Sequence, residues 1–392
     1  MRRFLAWLLI GALLLGCAGC AERTEEGGGT RLIALNMGKA DCLLLLCEGR
    51  AWLIDSGYAY TYNLLAEALR RCGVERLDGV FLTHCDKDHY GGLNALAESA
   101  VAVDAWYAPA LYYGVRAEMH PLVTAAARRG DNVTWLSAGD ELPLGETGRL
   151  RVIGPLTLNT ENENNNSLVF YAETADGTLL FTGDMKLNEE YELLNAGLIE
   201  AADVLKVPFH GDNSASSESF VERVAPGLAL ICTSTAEEPD TPASSVLKRY
   251  KRSGAEIVVT QDYARGVEIT LQGGKARAQA LQWDDLPDYS RWVRASITLS
   301  DDLLTLRNSS DQPIDLSGWI VYSTRGEDSF RLPQGAALPA NGVYKIGSRA
   351  TSSAVDCSLD VKRIWHKSKL DRAVILDGTG GVAAVTDNGM PE

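Results

Sequence analysis

The sequence predicts a layered α/β sandwich followed by a small all-β sandwich. Three observations carry this. Strand and helix patterns alternate over residues 31–273, with strand runs at both ends and helices between them. Residues 274–294 then show no clear period and read as a linker. From Ala295 onward, short strand runs recur at turn-marked intervals over about 100 residues, the rhythm of a sandwich.

Residues 1–20 read as an export signal. Arg2 and Arg3 precede an uncharged apolar run, 4–15, which is short of the ~20 residues a membrane-spanning helix needs. The run ends in Leu-Leu-Leu-Gly-Cys17, which resembles a bacterial lipobox and implies lipidation of Cys17, with Cys20 the lesser candidate. Extracytoplasmic, membrane-anchored localisation follows as an expectation, and 21–30 becomes a Gly-rich tether. Strands are expected at 31–36, 42–47 and 51–54, then a helix over 62–72 that stops at Gly73. A buried strand at 77–83 runs into a polar loop and a helix from 92 to 98. A strand at 101–107 and a helix at 118–129 follow, then short strands near 133–136, 150–154, 167–173 and 178–182. A helix at 189–198 and a strand at 203–208 precede further alternation to residue 273.

The net charge of −15 argues against a general nucleic-acid coat, although a bound metal can make one cleft locally positive. Eight cysteines in 392 residues do not make a disulfide scaffold, and the Cys17-x-x-Cys20 spacing lies within the export signal. Only five histidines are present, so their positions carry weight.

Three of them stand at strand ends. The strand at 77–83 empties into His84-Cys85-Asp86-Lys87-Asp88-His89-Tyr90-Gly91-Gly92. Imidazole and carboxylate are ligands for a borderline divalent ion, and strand alternation points His84, Asp86 and Asp88 one way. Two further strands end on Thr182-Gly183-Asp184 and on Pro208-Phe209-His210-Gly211. Each is ordinary alone, but strand C-termini can converge on one cleft. Asp55, in Ile54-Asp55-Ser56-Gly57, is either a turn acid or an acid that orients a ligand histidine. His120 precedes Pro121 and reads as a solvated or capping residue. Trp106, Tyr107, Tyr112 and Tyr113 read as core, with a cleft wall that stacks a ring as the alternative.

Taken in order, these motifs resemble the metallo-β-lactamase superfamily. The branch that matches best is the hydrolase domain of the DNA-uptake protein ComEC, through Met37-Gly38-Lys39-Ala40-Asp41 and Asn164-Asn165-Asn166-Ser167-Leu168-Val169. The resemblance covers 31–273 and implies an αββα sandwich with a metal cleft at one edge. It implies His84 and Asp86 on a first metal, Asp88, His89 and His210 on a second, and Asp184 bridging both. It also implies a catalytic role for Asp88 and Asp184, with Asp55, Asn165 and Ser167 supporting the site or the substrate. The cofactor implied is one or two divalent ions, zinc first and manganese second, about 3.5–4 Å apart when paired.

Asp86 and Phe209 stand where the superfamily or its ComEC branch usually has histidine, and Thr241 where that branch often has one. The second site therefore reads as complete and the first as depleted. Residues 295–392 resemble a lamin-tail domain through Ile314-Asp315-Leu316-Ser317-Gly318-Trp319, which implies an immunoglobulin-like sandwich with Trp319 in its core. Its basic cluster, Lys362, Arg363, His366, Lys367, Lys369 and Arg372, is a solvated face or a site for DNA or an envelope polymer. The functional expectation is a lipid-anchored hydrolase of phosphodiesters, DNA or nucleotides. The rival is a surface-binding lipoprotein that keeps the fold without the activity.

Overall fold

A computed structural model describes residues 29–391 apart from 284 and 327. The export segment and Cys17 lie outside the described residues. Two sheets stack face to face. The first has eight strands in the order Lys275–Ala280, Gly266–Gln272, Thr30–Leu35, Leu43–Cys47, Arg50–Ile54, Gly79–Phe81, Trp106–Pro109 and Val133–Leu136. The second has seven, in the order Glu256–Val259, Leu228–Ile231, Val204–Lys206, Gly177–Phe181, Val169–Thr174, Arg149–Gly154 and Glu141–Pro143.

Alternation along the strands explains the layers. In Thr30–Leu35, Leu32 and Ala34 face the second sheet, while Ile33 and Leu35 face the helices Tyr62–Arg71, Leu93–Glu98 and Pro121–Ala127. The second sheet does the same: Phe170 and Leu179 point inward, and Tyr171 and Leu180 meet the helices Leu187–Asn195, Glu218–Val224 and Ser244–Ser253. The result is an αββα sandwich.

Three local expectations change. The strand at 77–83 is divided: Arg76–Leu77 pairs with Ala102–Val103, and Gly79–Phe81 joins the large sheet. Asp78 turns aside so that its carboxylate accepts the Ala51 N–H, and a Cβ on Gly79 would strike the Trp52 and Tyr107 rings at 2.8 Å. The helix at 118–129 begins only at Pro121, which has no N–H to give to a preceding turn; Ala117–Met119 is a separate 3₁₀ turn. The stretch read as a linker opens with Lys275–Ala280, which pairs antiparallel with Gly266–Gln272 at the sheet edge. Its alternating alanine and polar residues are weak strand signals, which hid it.

The C-terminal region is all-β. Two four-stranded sheets, Val293–Thr298/Leu303–Asn308/Val343–Gly347/Cys357–Ser358 and Asp328–Arg331/Ile320–Ser323/Arg372–Leu376/Val382–Asp387, enclose a core that holds Trp319 and Trp365. This region packs on the α/β part. Tyr60 stacks on Tyr322 at 4.1 Å between centroids, and Arg265 pairs with Asp377 at 2.7 Å where both are buried. Among the described residues no helix is long and apolar enough to cross a membrane.

Candidate metal centre

The site lies at the edge where parallel strands of both sheets end. After Gly79–Phe81 the chain runs through Thr83 and His84, and then Lys87–Tyr90 forms one helical turn. That turn ends the strand alternation. It buries Asp88 and His89 and leaves the Asp86 side chain 45% exposed at the rim, with Oδ2 3.4 Å from the inward-facing Nε2 of His84. Gly183 makes the second approach possible. Its φ is 49°, and a Cβ there would meet Thr83 and Ser167 at 2.9 Å, so the loop seats Asp184 directly against the metal turn.

His210 is delivered by strained backbone. Phe209 and His210 both adopt left-handed φ values, 48° and 53°. Non-glycine residues held there cost about 1–3 kcal/mol each, which the surrounding structure must supply.

Three buried imidazole Nε2 atoms point together without a hydrogen-bond partner, those of His84, His89 and His210. Asp184 Oδ2 lies 3.0 Å from His210 Nε2, 3.3 Å from His89 Nε2 and 3.9 Å from His84 Nε2. Asp88 Oδ2 lies 3.3 Å from His210 Nε2. Asp88, His89, Asp184 and His210 bring one ligand atom each within 4.8 Å of one another, and all four are buried. His84 and Asp86 stand beside this group, 3.4 Å apart.

The opposite nitrogens are anchored. His89 Nδ1 meets Asp55 Oδ2 at 2.7 Å, and His210 Nδ1 donates to the Cys232 carbonyl at 2.7 Å. His84 Nδ1 lies 3.1 Å from Thr83 Oγ1, which itself donates to Asp55. Each Nδ1 thus carries the proton, and each Nε2 keeps a lone pair for the centre. Asp55→Asn should therefore lower metal affinity about 10–100-fold while leaving every inward-facing donor in place; a chelator-competition titration reads this, and an unchanged affinity would remove Asp55 from the account.

The electrostatics fit a divalent ion. Asp41 and Asp184 are buried against the Lys206 ammonium group and Asp88 against that of Lys39, while Asp55 is held by Thr83 and His89. With neutral histidines these four carboxylates exceed the two ammonium groups, an excess of negative charge that a divalent ion would offset. Without it, protons respond. Burial disfavours charge on His89 and His210, yet Asp184 above all holds both imidazoles above the usual range. Burial likewise opposes ionisation of Asp88 and Asp184, and the facing histidines and lysines nevertheless hold both carboxyls low.

Sequence reasoning missed Lys206. It is 1% exposed, with Nζ 2.5 Å from Asp41 Oδ2, 3.4 Å from Asp184 Oδ1 and donating to the Gly183 carbonyl at 2.8 Å. Asp184 therefore presents Oδ2 to the three histidines and turns Oδ1 to the lysine. Asn165 is engaged elsewhere: its carbonyl oxygen accepts the Glu189 N–H at the start of the following helix. Ser167 Oγ accepts the Asp184 N–H at 3.0 Å and so supports the ligand loop. Thr241 bonds Thr233 at 2.7 Å. The Cys85 thiol is half-buried, and burial, with Glu163 beside it, raises its pKa.

His120 is neither solvated nor a side-chain cap. It is fully buried, with both nitrogens unpartnered, between Tyr112 at 4.9 Å and Trp135 at 5.0 Å. Trp106 and Tyr107 are packed in the core, while Tyr113 is exposed. Burial lowers the His120 pKa to about 4. The unfolded chain takes up that proton near pH 6.5, so the stability that neutral His120 allows is intact above pH 6.5 and is lost as pH falls towards 4, by up to ~3 kcal/mol. Denaturant titrations at pH 7 and pH 4.5 should show this loss shrink in His120→Phe; an identical loss in both proteins would assign it elsewhere.

A family model described as the metallo-beta-lactamase superfamily matches residues 36–235. Curated relatives include ComE operon protein 3 of Bacillus subtilis, 28% identical over 224 residues, which is 53% of this chain and 28% of that protein. Recombination protein 2 of Haemophilus influenzae is 25% identical over 63% of this chain and 28% of its own length. Competence protein ComA of Neisseria gonorrhoeae is 26% identical over 62% and 33%. The chain thus spans about a third or less of the length of these relatives.

Proposed function

The chain belongs to the metallo-β-lactamase superfamily, and from that premise we propose that it is a metal-dependent phosphodiesterase acting on DNA or nucleotides. One observation carries the metal-dependent part: three anchored histidines turn unpartnered Nε2 atoms toward Asp88 and Asp184. Asp88, His89, Asp184 and His210 would hold one ion, zinc before manganese given the nitrogen donors. His84 with Asp86 would hold a second, weaker one. A bound divalent ion supplies Lewis acidity toward a phosphoryl oxygen and a water of lowered pKa. Asp88, kept ionised by its neighbours, presents Oδ2 to His210 and is available there as an anionic ligand.

The phosphodiester reading is supported by two of the relatives, one named for recombination and one for competence, and by the ComEC-like motifs. In the same reading the chain is exported, lipid-anchored through Cys17, and carries a lamin-tail domain at its C-terminus. There Arg363 is paired with buried Asp302 at 3.2 Å, which leaves Lys362, His366, Lys367 and Lys369 exposed for an envelope polymer or DNA. The test is hydrolysis of bis(4-nitrophenyl) phosphate and of single-stranded DNA by the full chain supplied with zinc or manganese. Turnover that stops with chelation is the expected outcome. Full metal loading without turnover of either substrate would instead favour a binding lipoprotein on the same fold.

A further inference from the structure

Phe209 stands where the ComEC-like pattern carries a histidine, and its ring is half-buried beside His210. Two ammonium groups lie over that one ring: Lys186 Nζ at 4.5 Å from the centroid and Lys39 Nζ at 5.7 Å. A cation over an aromatic face is favourable, but two cations on one ring repel each other, so the ring alone does not account for both. Lys39 is shared with Asp88 at 3.5 Å. Lys186 has no carboxylate within ion-pair distance among the described residues, although the whole chain carries −15.

Their positions tie both lysines to the centre. Lys186 follows Asp184 by two residues, and Lys39 precedes Asp41 by two. Both residues are half-buried, and the ring that carries both ammonium groups lies 6.4 Å from the His210 ring between centroids, which sets them at the lip of the ligand cluster. An ammonium group is a compact point charge suited to phosphate oxygens, and an anion placed between two of them removes their repulsion.

We propose that Lys39 and Lys186, seated on Phe209, form an anion clamp that holds a phosphoryl group of the substrate against the metal ligands and selects phosphate-bearing substrates over neutral ones. The clamp deepens the phosphodiester reading and rests on it. It places fixed positive charge at a centre whose first metal site is short of ligands, and it gives an acidic protein a locally attractive entrance for an anion.

Isothermal titration with inorganic phosphate tests the clamp without turnover. The full chain loaded with zinc is compared with Lys186→Ala, the double variant Lys39→Ala/Lys186→Ala, and Lys186→Arg, with metal per chain measured in each sample. The expected result is about a tenfold loss of phosphate affinity for Lys186→Ala, a larger loss for the double variant at unchanged metal content, and retention by Lys186→Arg. A double variant that binds phosphate as the parent does, or a parent that binds none, overturns the clamp. A parent that binds phosphate through the lysines yet hydrolyses no phosphodiester keeps the clamp and removes the catalytic reading, so the two failures are distinguishable. Where turnover is present, Lys186→Ala should raise KM more than it lowers kcat.

Discussion

Lys206→Met is expected to destabilise the metal-free protein by about 3–5 kcal/mol, because it strands two buried carboxylates rather than one surface charge. Lys206 Nζ is the near neighbour of Asp41 at 2.5 Å and of Asp184 at 3.4 Å, and all three side chains are 1% exposed. Methionine fills similar volume but returns no charge. Part of the loss should be recovered in Lys206→Met/Asp41→Asn, since the two sites are in contact and their effects do not add. Metal should recover another part by neutralising Asp184. Chemical denaturation with and without zinc measures both. A loss below about 1 kcal/mol would mean that Asp41 and Asp184 are not charged together as described here.

His210→Ala should remove metal and hydrolysis together. The side chain supplies a buried Nε2 facing both Asp88 and Asp184, and its Nδ1 is fixed on the Cys232 carbonyl. With one of four clustered donors gone, the affinity should fall by more than the ~100-fold that loss of an orienting partner costs. Metal-dependent turnover should drop by about three orders of magnitude or more, as the activated water goes with the ion. Alanine at a φ of 53° keeps the strained backbone and strands the Cys232 carbonyl and Asp184, so stability should fall as well, and metal is therefore read on protein shown to be folded. A variant that retains metal would move the centre away from His210.

The outline of this site was legible because each ligand type stands at a strand end, and strand ends can be read from apolar runs. Asp55 was readable as a turn acid or an orienting acid, and the 2.7 Å contact with His89 shows which. Asp86 was readable as a partner of His84, and its carboxylate does lie 3.4 Å from His84 Nε2, but the helical turn Lys87–Tyr90 sets it at the exposed rim rather than beside buried Asp88. Lys206 was hidden for a different reason. Within Leu205-Lys206-Val207 it is one polar residue in an apolar strand, and its partner Asp41 is remote in sequence. His120 was misplaced because a histidine before proline signals a helix start, whereas the packing of Tyr112 and Trp135 over it is tertiary. The lysine pair on Phe209 is similarly the product of three distant segments meeting at one ring.

The central claim is that this cluster is a working metal centre. It is tested most directly by following metal per chain and the rate of bis(4-nitrophenyl) phosphate hydrolysis on the same samples as zinc or manganese is removed and restored. The account predicts at least one ion per chain, held by the Asp88, His89, Asp184 and His210 cluster, with a rate that rises and falls with occupancy. A protein that takes up neither ion, or one whose hydrolysis is indifferent to occupancy, would contradict it.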